Sequence, residues 1–564
     1  MTTLTTAQTT VFRLGDARRH AAGWRFGAFT LALLLALPVL IVAGFVFAPT
    51  GDVWRHLTET VLATYVSNSL WLMLGVSAGV LSIGVTTAWL TALTDFPGRR
   101  IFEWALLLPL AMPAYIIAYT YTGLLDFSGP VQTLLRDLFG WSYGDYWFPE
   151  IRSLGGAILM LSLVLYPYVY LLARAAFLEQ SVCVLEVSRT LGASPLASIY
   201  RVALPLARPA IITGLSLALM ETLADYGTVQ YFGIATFTTG IFRTWFGLGD
   251  SAAASQLAAL LMSFVFGLIL LERWSRKRAR YHHTSNKYSI LPRIQLRGWG
   301  AIVALIACLM PLFWGFIAPV GQLLFWTLRS AQTFFDPTFI RLVWNTLALA
   351  AGAAVIAVAL ALFLAYGKRL YPSRWLIAAV RISAMGYAIP GVVIAIGVML
   401  PFAWFDNALD GWMRNTFGYS TGLLLSGTLF ALLYAYTVRF LAVSVQAVEA
   451  GLGKIKPSMD DAGRSLGLSP IGVLRHIHLP LMRGTVLSAL LLVFVDVLKE
   501  LPATLILRPF NFNTLAVRAY ELASDERLAD AGLPALMIVV TGILPVILLS
   551  RAIGSSRAGQ ASSA

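Results

Sequence analysis

Long apolar segments alternate with short polar segments along almost the whole chain. A helix of roughly 20 apolar residues is long enough to cross the hydrocarbon layer of a bilayer. The pattern predicts twelve spans near 27–48, 68–94, 101–125, 154–178, 206–232, 254–272, 299–328, 343–367, 375–402, 421–447, 483–506 and 532–552. The strict alternation of barrel strands is missing, so the expected fold class is an all-α polytopic membrane protein.

Composition and charge agree with a membrane protein. Of the 564 residues, 58% are hydrophobic and only 12% are charged, whereas a soluble domain has about 25% charged residues. If the N-terminus is cytosolic, most of the 41 Lys and Arg residues lie on the cytosolic side. The net charge of +14 then reflects topology, and no nucleic-acid partner is expected. We expect a multi-pass protein of the bacterial inner (plasma) membrane, with a retained first helix and both termini in the cytosol.

One polar loop occurs twice, 275 residues apart. The shared positions are Glu186, Gly192, Pro195 and Pro205 in the first copy and Asp461, Gly467, Pro470 and Pro480 in the second. The chain is therefore predicted to contain two homologous halves, 1–280 with its loop near 179–208 and 299–564 with its loop near 448–483. A basic cytosolic linker, 281–298, joins them. Each half would cross the membrane six times, so the halves form a parallel repeat.

Each copy of the loop is expected to fold as two short helices that meet at a sharp angle. The glycine suits the left-handed position that ends the first short helix. The Ser-Pro pair that follows, at 194–195 and 469–470, suits the N-cap and first position of the second short helix. The Leu-Pro pair at 204–205 and 479–480 is expected to end this helix and begin the next span. The alternative is a simple connector, but a connector need be neither this long nor present twice.

Two matched spans carry ionisable residues. They are Glu221, Asp225 and Tyr226 in the fifth span and Asp496, Lys499 and Glu500 in the eleventh. The two acids of each span are four residues apart and are expected on one helical face. Acids within spans are costly and commonly line a polar pathway. Carboxylates suit a hard cation, and a Tyr226 phenolate would suit ferric iron, although the sequence assigns no metal site. The alternative is that the acids pair internally, for instance with Lys499, or lie at the outer interface.

The spacing of the repeated loop resembles the "EAA" loop of the membrane subunits of ATP-binding-cassette (ABC) importers. The resemblance implies a type I importer permease fold in which each loop couples to one of two copies of a cytosolic ABC ATPase. The matching positions are the acid, at Glu186 and Asp461, the glycine, at Gly192 and Gly467, and the terminal proline, at Pro205 and Pro480. All eight shared residues given above are expected to take part in the coupling. This chain has Val187-Ser188 and Ala462-Gly463 in place of the two alanines, and Asp461 in place of Glu.

A closer resemblance is to the fused two-half permeases of bacterial ferric-iron importers. The segments that carry it are 221–227, 239–243, 499–504 and 508–516. It implies that a periplasmic binding protein delivers Fe(III) to this chain. Relatives of the same architecture carry thiamine, phosphonates, sulfate or polyamines, so another small solute stays open.

The sequence holds no G-x-x-x-x-G-K-[ST] loop, which cradles nucleotide phosphates in P-loop ATPases. We therefore expect a transport subunit with no catalytic residues and no cofactor of its own, ATP being used by the partner subunits. A second class is an ion-coupled secondary transporter that uses the intramembrane acids as ion sites. A third class, a polytopic membrane enzyme, has no candidate site.

Overall fold

The computed structural model describes residues 3–49, 51–142, 144–179, 199–277, 293–329 and 336–555. The first helices are α1 (Thr3–Gly44), α2 (Asp52–Thr60), α3 (Leu62–Leu93), α4 (Arg99–Ala105), α5 (Ala114–Leu125), α6 (Pro130–Phe139), α7 (Leu154–Glu179), α8 (Leu204–Ala224), α9 (Gly227–Tyr231), α10 (Phe237–Phe242) and α11 (Ser251–Lys277).

The remaining helices follow the central linker. They are α12 (Trp299–Leu312), α13 (Ala318–Arg329), α14 (Pro337–Leu370), α15 (Arg374–Ser383), α16 (Gly391–Phe417), α17 (Leu429–Gly453), α18 (Pro457–Ser465), α19 (Pro470–Val473), α20 (Leu479–Leu481), α21 (Arg483–Leu498), α22 (Pro502–Leu507), α23 (Leu515–Ser524) and α24 (Leu528–Ser555). Single π-helical turns occur at Ile199–Ala203, Arg243–Gly247, Phe313–Ile317 and Leu474–His478.

Ten helices within the described ranges are long and apolar enough to cross a membrane. The number rises to twelve if each of two sharply bent helix pairs counts as one span. The prediction of an all-α polytopic membrane protein is therefore confirmed. The strands β1 (Thr94–Asp95) and β2 (Ile294–Gln295) pair in parallel, with Thr94 opposite Ile294, and attach the end of the linker to the segment after α3.

The helices pack as two compact units that do not follow the sequence halves. One unit comprises Met1–Val46 and Trp344–Phe512, and the other comprises Phe47–Val343 and Asn513–Ala564. In the first unit, α1 packs against α15 and α16. In the second unit, α3 packs against α7, and α24 packs against α13. The first helix of the chain is thus part of the core that the second half builds.

Four of the expected spans are interrupted rather than continuous, at matched places in the two halves. Pro113 and Pro390 each follow a residue with extended backbone, because proline disfavours a helical conformation in its predecessor. The helical segments on either side of Met112-Pro113 meet at 91°. The other two interruptions follow Ala224 and Leu498, where α8 and α21 end. Paired discontinuous helices are a feature of transporter folds, in which they form the substrate site.

Gly397 tests the packing of α1 within its unit. A Cβ atom at Gly397 would collide with the backbone carbonyl of Pro38 in α1, whereas Gly411 in the same helix α16 has open space around it. We expect Gly397→Ala to lower the free energy of unfolding by about 1–3 kcal/mol, the usual cost of overpacking. Thermal unfolding of the purified protein measures this, with Gly411→Ala as the matched control. Equal stability of the two variants would contradict this contact.

Candidate functional site

The second repeat loop was expected near 448–483; α17 continues to Gly453, so the loop occupies residues 454–482, and it contains two short helices as expected. The first of them, α18, ends in a Schellman arrangement. The amide of Gly467 donates to the carbonyl of Arg464 at 3.0 Å, and the amide of Leu468 donates to that of Gly463 at 3.1 Å. Gly467 has a φ of 84°, the left-handed conformation that glycine adopts without steric cost. The predicted role of this glycine as a helix stop is confirmed.

The second short helix begins at the predicted Ser-Pro pair. The hydroxyl of Ser469 accepts a hydrogen bond from the amide of Gly472 at 3.1 Å, and Pro470 occupies the first helical position. The helix continues through a π-helical turn and α20 to Leu481. The chain then bends by 81° into α21, so the break falls at Met482 and not at Pro480.

One side of the second repeat loop is exposed, and it includes apolar side chains. Asp461, Gly467, Pro470 and Pro480 are all exposed. Beside them, Leu466 is 84% exposed and Ile471 is 69% exposed. Exposed apolar side chains grouped on a polar loop are typical of a surface that binds another protein.

The opposite side of the loop is held by a cluster around Asp460. The guanidinium of Arg369, at the end of α14, donates to the Asp460 carboxylate at 2.8 and 3.2 Å. Nε2 of the buried His478 donates to the same carboxylate at 2.7 Å. Arg369 also donates to the carbonyls of Leu452 and Ile455. Burial raises the pKa of Asp460, but the hydrogen bonds from Arg369 and His478 outweigh this effect and hold the pKa below its usual range.

The first repeat loop is largely outside the described residues. Glu186, Gly192 and Pro195 all lie there, so their predicted arrangement stays a prediction. Pro205 is described and lies in the first turn of α8. The π-helical turn Ile199–Ala203 runs directly into α8, so in this copy the Leu204-Pro205 pair does not interrupt the helix.

In the unit that contains α8, Asp225 closes one of the helix interruptions. Its carboxylate accepts hydrogen bonds from the amides of Thr228 and Val229, both at 3.1 Å, and from the Thr228 hydroxyl at 3.0 Å. It therefore caps the short helix α9. Tyr226 is buried against Phe242, and the centroid of its ring lies 6.0 Å from that of Tyr520. Glu221 and Asp225 are half-buried.

In the other unit, Glu500 takes the matched position and caps α22 in the same way. Its carboxylate accepts from the amides of Ala503 and Thr504 at 2.9 and 3.0 Å, and from the Thr504 hydroxyl at 2.6 Å. It also forms an ion pair of 3.2 Å with Arg439, and the Glu500 side chain is only 1% exposed. Asp496 pairs with Lys499 at 2.9 Å. Internal pairing, the alternative that the sequence left open, therefore occurs at both acids of this unit.

The expectation that the two acids of each span share a helical face is wrong. Asp225 has an extended backbone beyond the end of α8, and Glu500 lies beyond the end of α21. The physical reason is that each carboxylate satisfies the first amides of the next helix, which a position inside a continuous helix does not allow. Within the described residues, no group of three or more His, Cys, Asp and Glu side chains is placed to hold a metal ion.

Sequence reasoning missed Arg439 and the cluster around Asp460. Arg439 had a usable signal, since an arginine inside an apolar segment indicates a buried polar partner. Asp460 had no such signal, because its neighbour Asp461 is the acid that matches Glu186 of the first copy and was therefore taken as the functional residue. Arg369 and His478 are separated from Asp460 by 91 and 18 residues, beyond the reach of any local pattern.

Comparison with known proteins gives one family that matches the chain twice, and relatives that align over most of its length. The profile of the family "Binding-protein-dependent transport system inner membrane component" matches residues 82–281 and again 357–556. The Fe(3+)-transport system permease protein FbpB 2 of Haemophilus influenzae is 27% identical over 92% of this chain and 97% of its own length. The putative ferric transport system permease protein FbpB 1 of the same organism is 25% identical over 85% and 75%, respectively. The molybdenum transport system permease protein ModB of H. influenzae is 27% identical over 38% of this chain and 91% of its own length.

Glu500 and Asp496 are expected to differ in their effect on stability. Glu500→Gln breaks the buried ion pair with Arg439 by removing the charge of one partner, which costs about 3–5 kcal/mol. Asp496→Asn removes a more exposed pair and should cost about 1 kcal/mol or less. Thermal unfolding in detergent measures both. If the two variants were equally stable, the buried pair between Arg439 and Glu500 would not be a structural support.

Proposed function

This chain belongs to the family of binding-protein-dependent transport system inner membrane components, the permease subunits of ABC importers, and from that premise we propose that its cargo is ferric iron. The main support is the ferric relative that aligns over nearly the whole of both chains. The molybdenum relative aligns with little more than one third of this chain.

Two copies of a cytosolic ABC ATPase are the proposed energy source, one seated on each repeat loop. The support is the exposed side of the second repeat loop, where Leu466 and Ile471 flank the left-handed Gly467. ATP binds to those subunits, and this chain provides the gated path. Both termini and the central linker then lie in the cytosol, in agreement with the distribution of Lys and Arg.

A periplasmic binding protein is proposed to dock on the opposite side, over the segments 126–153, 231–253 and 507–531. Within the first of these segments, a cavity of about 550 Å³ is lined by Asp126, Tyr146, Trp147, Glu150 and Arg152, among others. Arg152 also forms an ion pair of 2.9 Å with Glu526 of the third segment. Acidic and aromatic side chains around an open cavity offer contacts to a protruding side chain of a partner.

Iron as the cargo predicts a selective transport defect. Iron-starved cells that lack this gene should lose uptake of radiolabelled Fe(III) and keep their uptake of thiamine, putrescine and molybdate. The chain should also co-purify with a P-loop ATPase subunit, which a secondary transporter does not require. Unchanged iron uptake together with loss of another solute would retain the importer and reject iron. Uptake that persists without any ATPase partner would favour an ion-coupled transporter.

Coupling through the repeat loops predicts that their glycines are essential. A bulky residue at Gly467 must adopt a left-handed backbone, which costs about 1–2 kcal/mol, and it alters the exposed contact surface. We expect the double variant Gly192→Leu, Gly467→Leu to lose uptake while the ATPase subunits still hydrolyse ATP. Gly453→Leu is the control, since Gly453 has open space and lacks the left-handed conformation. Normal uptake by the double variant would refute coupling through these loops.

A further inference from the structure

The second repeat loop has two arms, of which the first is α18 and the second is the helical segment from Pro470 to Leu481. Both arms are attached to the same end of α14. Arg369 binds the first arm through Asp460 in α18. Tyr366 binds the second arm, because its hydroxyl donates to the carbonyl of Pro470 at 2.6 Å. Tyr366 and Arg369 are three residues apart and therefore lie on one face of α14. His478, in the second arm, completes the cluster by donating to Asp460 in the first.

Few other contacts hold the first arm in place. Of the nine residues of α18, only Asp460 and Gly463 are buried. A Cβ atom at Gly463 would lie 2.7 Å from Ile477, so the two arms pack closely there. The remaining residues of α18 are exposed. The position of this arm therefore depends mainly on the ionic cluster around Asp460.

At the positions that match this cluster, the first half of the sequence has no ionisable residue. Asp460 and His478 match Leu185 and Ala203 at the offset of 275 residues, and Arg369 matches Ala92 at the offset of 277 residues that relates Pro113 to Pro390. The first half has a different ionic cluster, in which Glu103 of α4 pairs with the buried Arg99 and, at 3.2 Å, with Arg174 of α7. That cluster fixes the helix that leads into the first repeat loop.

We propose that Asp460, held by Arg369 and His478, is a positioning residue that fixes the second repeat loop to α14, so that movement of an ATPase subunit is transmitted to this span as a rigid displacement. The proposal rests on the importer function given above. Without the attachment between Asp460 and Arg369, a force on the exposed side of α18 would rotate the first arm and would not move α14. The two halves then receive the same ATPase movement through differently built attachments.

The sharpest test gives the second repeat loop the residues of the first. The triple variant Arg369→Ala, Asp460→Leu, His478→Ala removes the three polar groups of the cluster together, so that none is left without its charged partner, and we expect folding to be retained. We expect uptake of radiolabelled Fe(III) per ATP hydrolysed to fall on the order of tenfold. A factor of this size corresponds to weakening the attachment of the arm to α14 by about 1–2 kcal/mol. Amide hydrogen exchange within 457–466 should become faster in the full complex with its ATPase.

Two further variants separate positioning from a general loss of structure. His478→Gln keeps a hydrogen-bond donor for Asp460 and should retain the natural uptake of Fe(III) per ATP hydrolysed. Arg369→Lys loses the two-point contact with the carboxylate and should give an intermediate uptake per ATP. Asp52→Asn, which removes a carboxylate whose side chain is 99% exposed, is the charge control. If the triple variant couples and exchanges like the natural protein, the proposal is overturned.

The same experiments distinguish a failure of the proposal from a failure of the proposed function. If the natural chain binds no ATPase or takes up no iron, the proposed function fails, while hydrogen exchange still reports whether the cluster fixes the arm. If the natural complex transports iron and the triple variant does so equally well, only the positioning role is wrong.

Discussion

The constraint on which this structure depends is that a backbone amide within a bilayer must find its hydrogen-bond partner inside the protein. An uninterrupted helix meets this constraint by itself, but a helix that stops within the membrane leaves its first amides and last carbonyls without partners. Asp225 and Glu500 solve this problem at matched positions. Each carboxylate binds two amides and a threonine hydroxyl of the helix that follows.

The two solutions nevertheless differ in charge. Glu500 is neutralised by Arg439, whereas the position that matches Arg439 in the first half is Val164. Taken as whole residues, Asp225 is the more exposed of the two. Within the described residues, the duplicated scaffold thus has the helix cap in both halves and a buried ion pair at the cap of the second half.

How much could be predicted from sequence depends on how far apart the interacting residues are. The stop at Gly467 and the cap at Ser469 follow from residues within five positions of each other, and both were predicted. The interruption after Ala224 was missed because the surrounding residues are apolar enough to continue a span, although Asp225 three residues before Thr228 is a local capping signal. The pairing of Arg369 with Asp460 and the packing of α1 join distant segments, which hydrophobic periodicity does not reveal.

The position of α1 has a consequence for biosynthesis. Pro38 lies against Gly397, so the two contacting residues are made far apart in time. At a synthesis rate of about 5–20 residues per second, roughly 20–70 seconds separate their appearance at the ribosome. During that interval the apolar segment Gly23–Phe47 has lipid in place of its later neighbours, which its high mean hydropathy of 2.7 permits. Separate synthesis of the two sequence halves would therefore still require the first helix to find its place in the product of the other half.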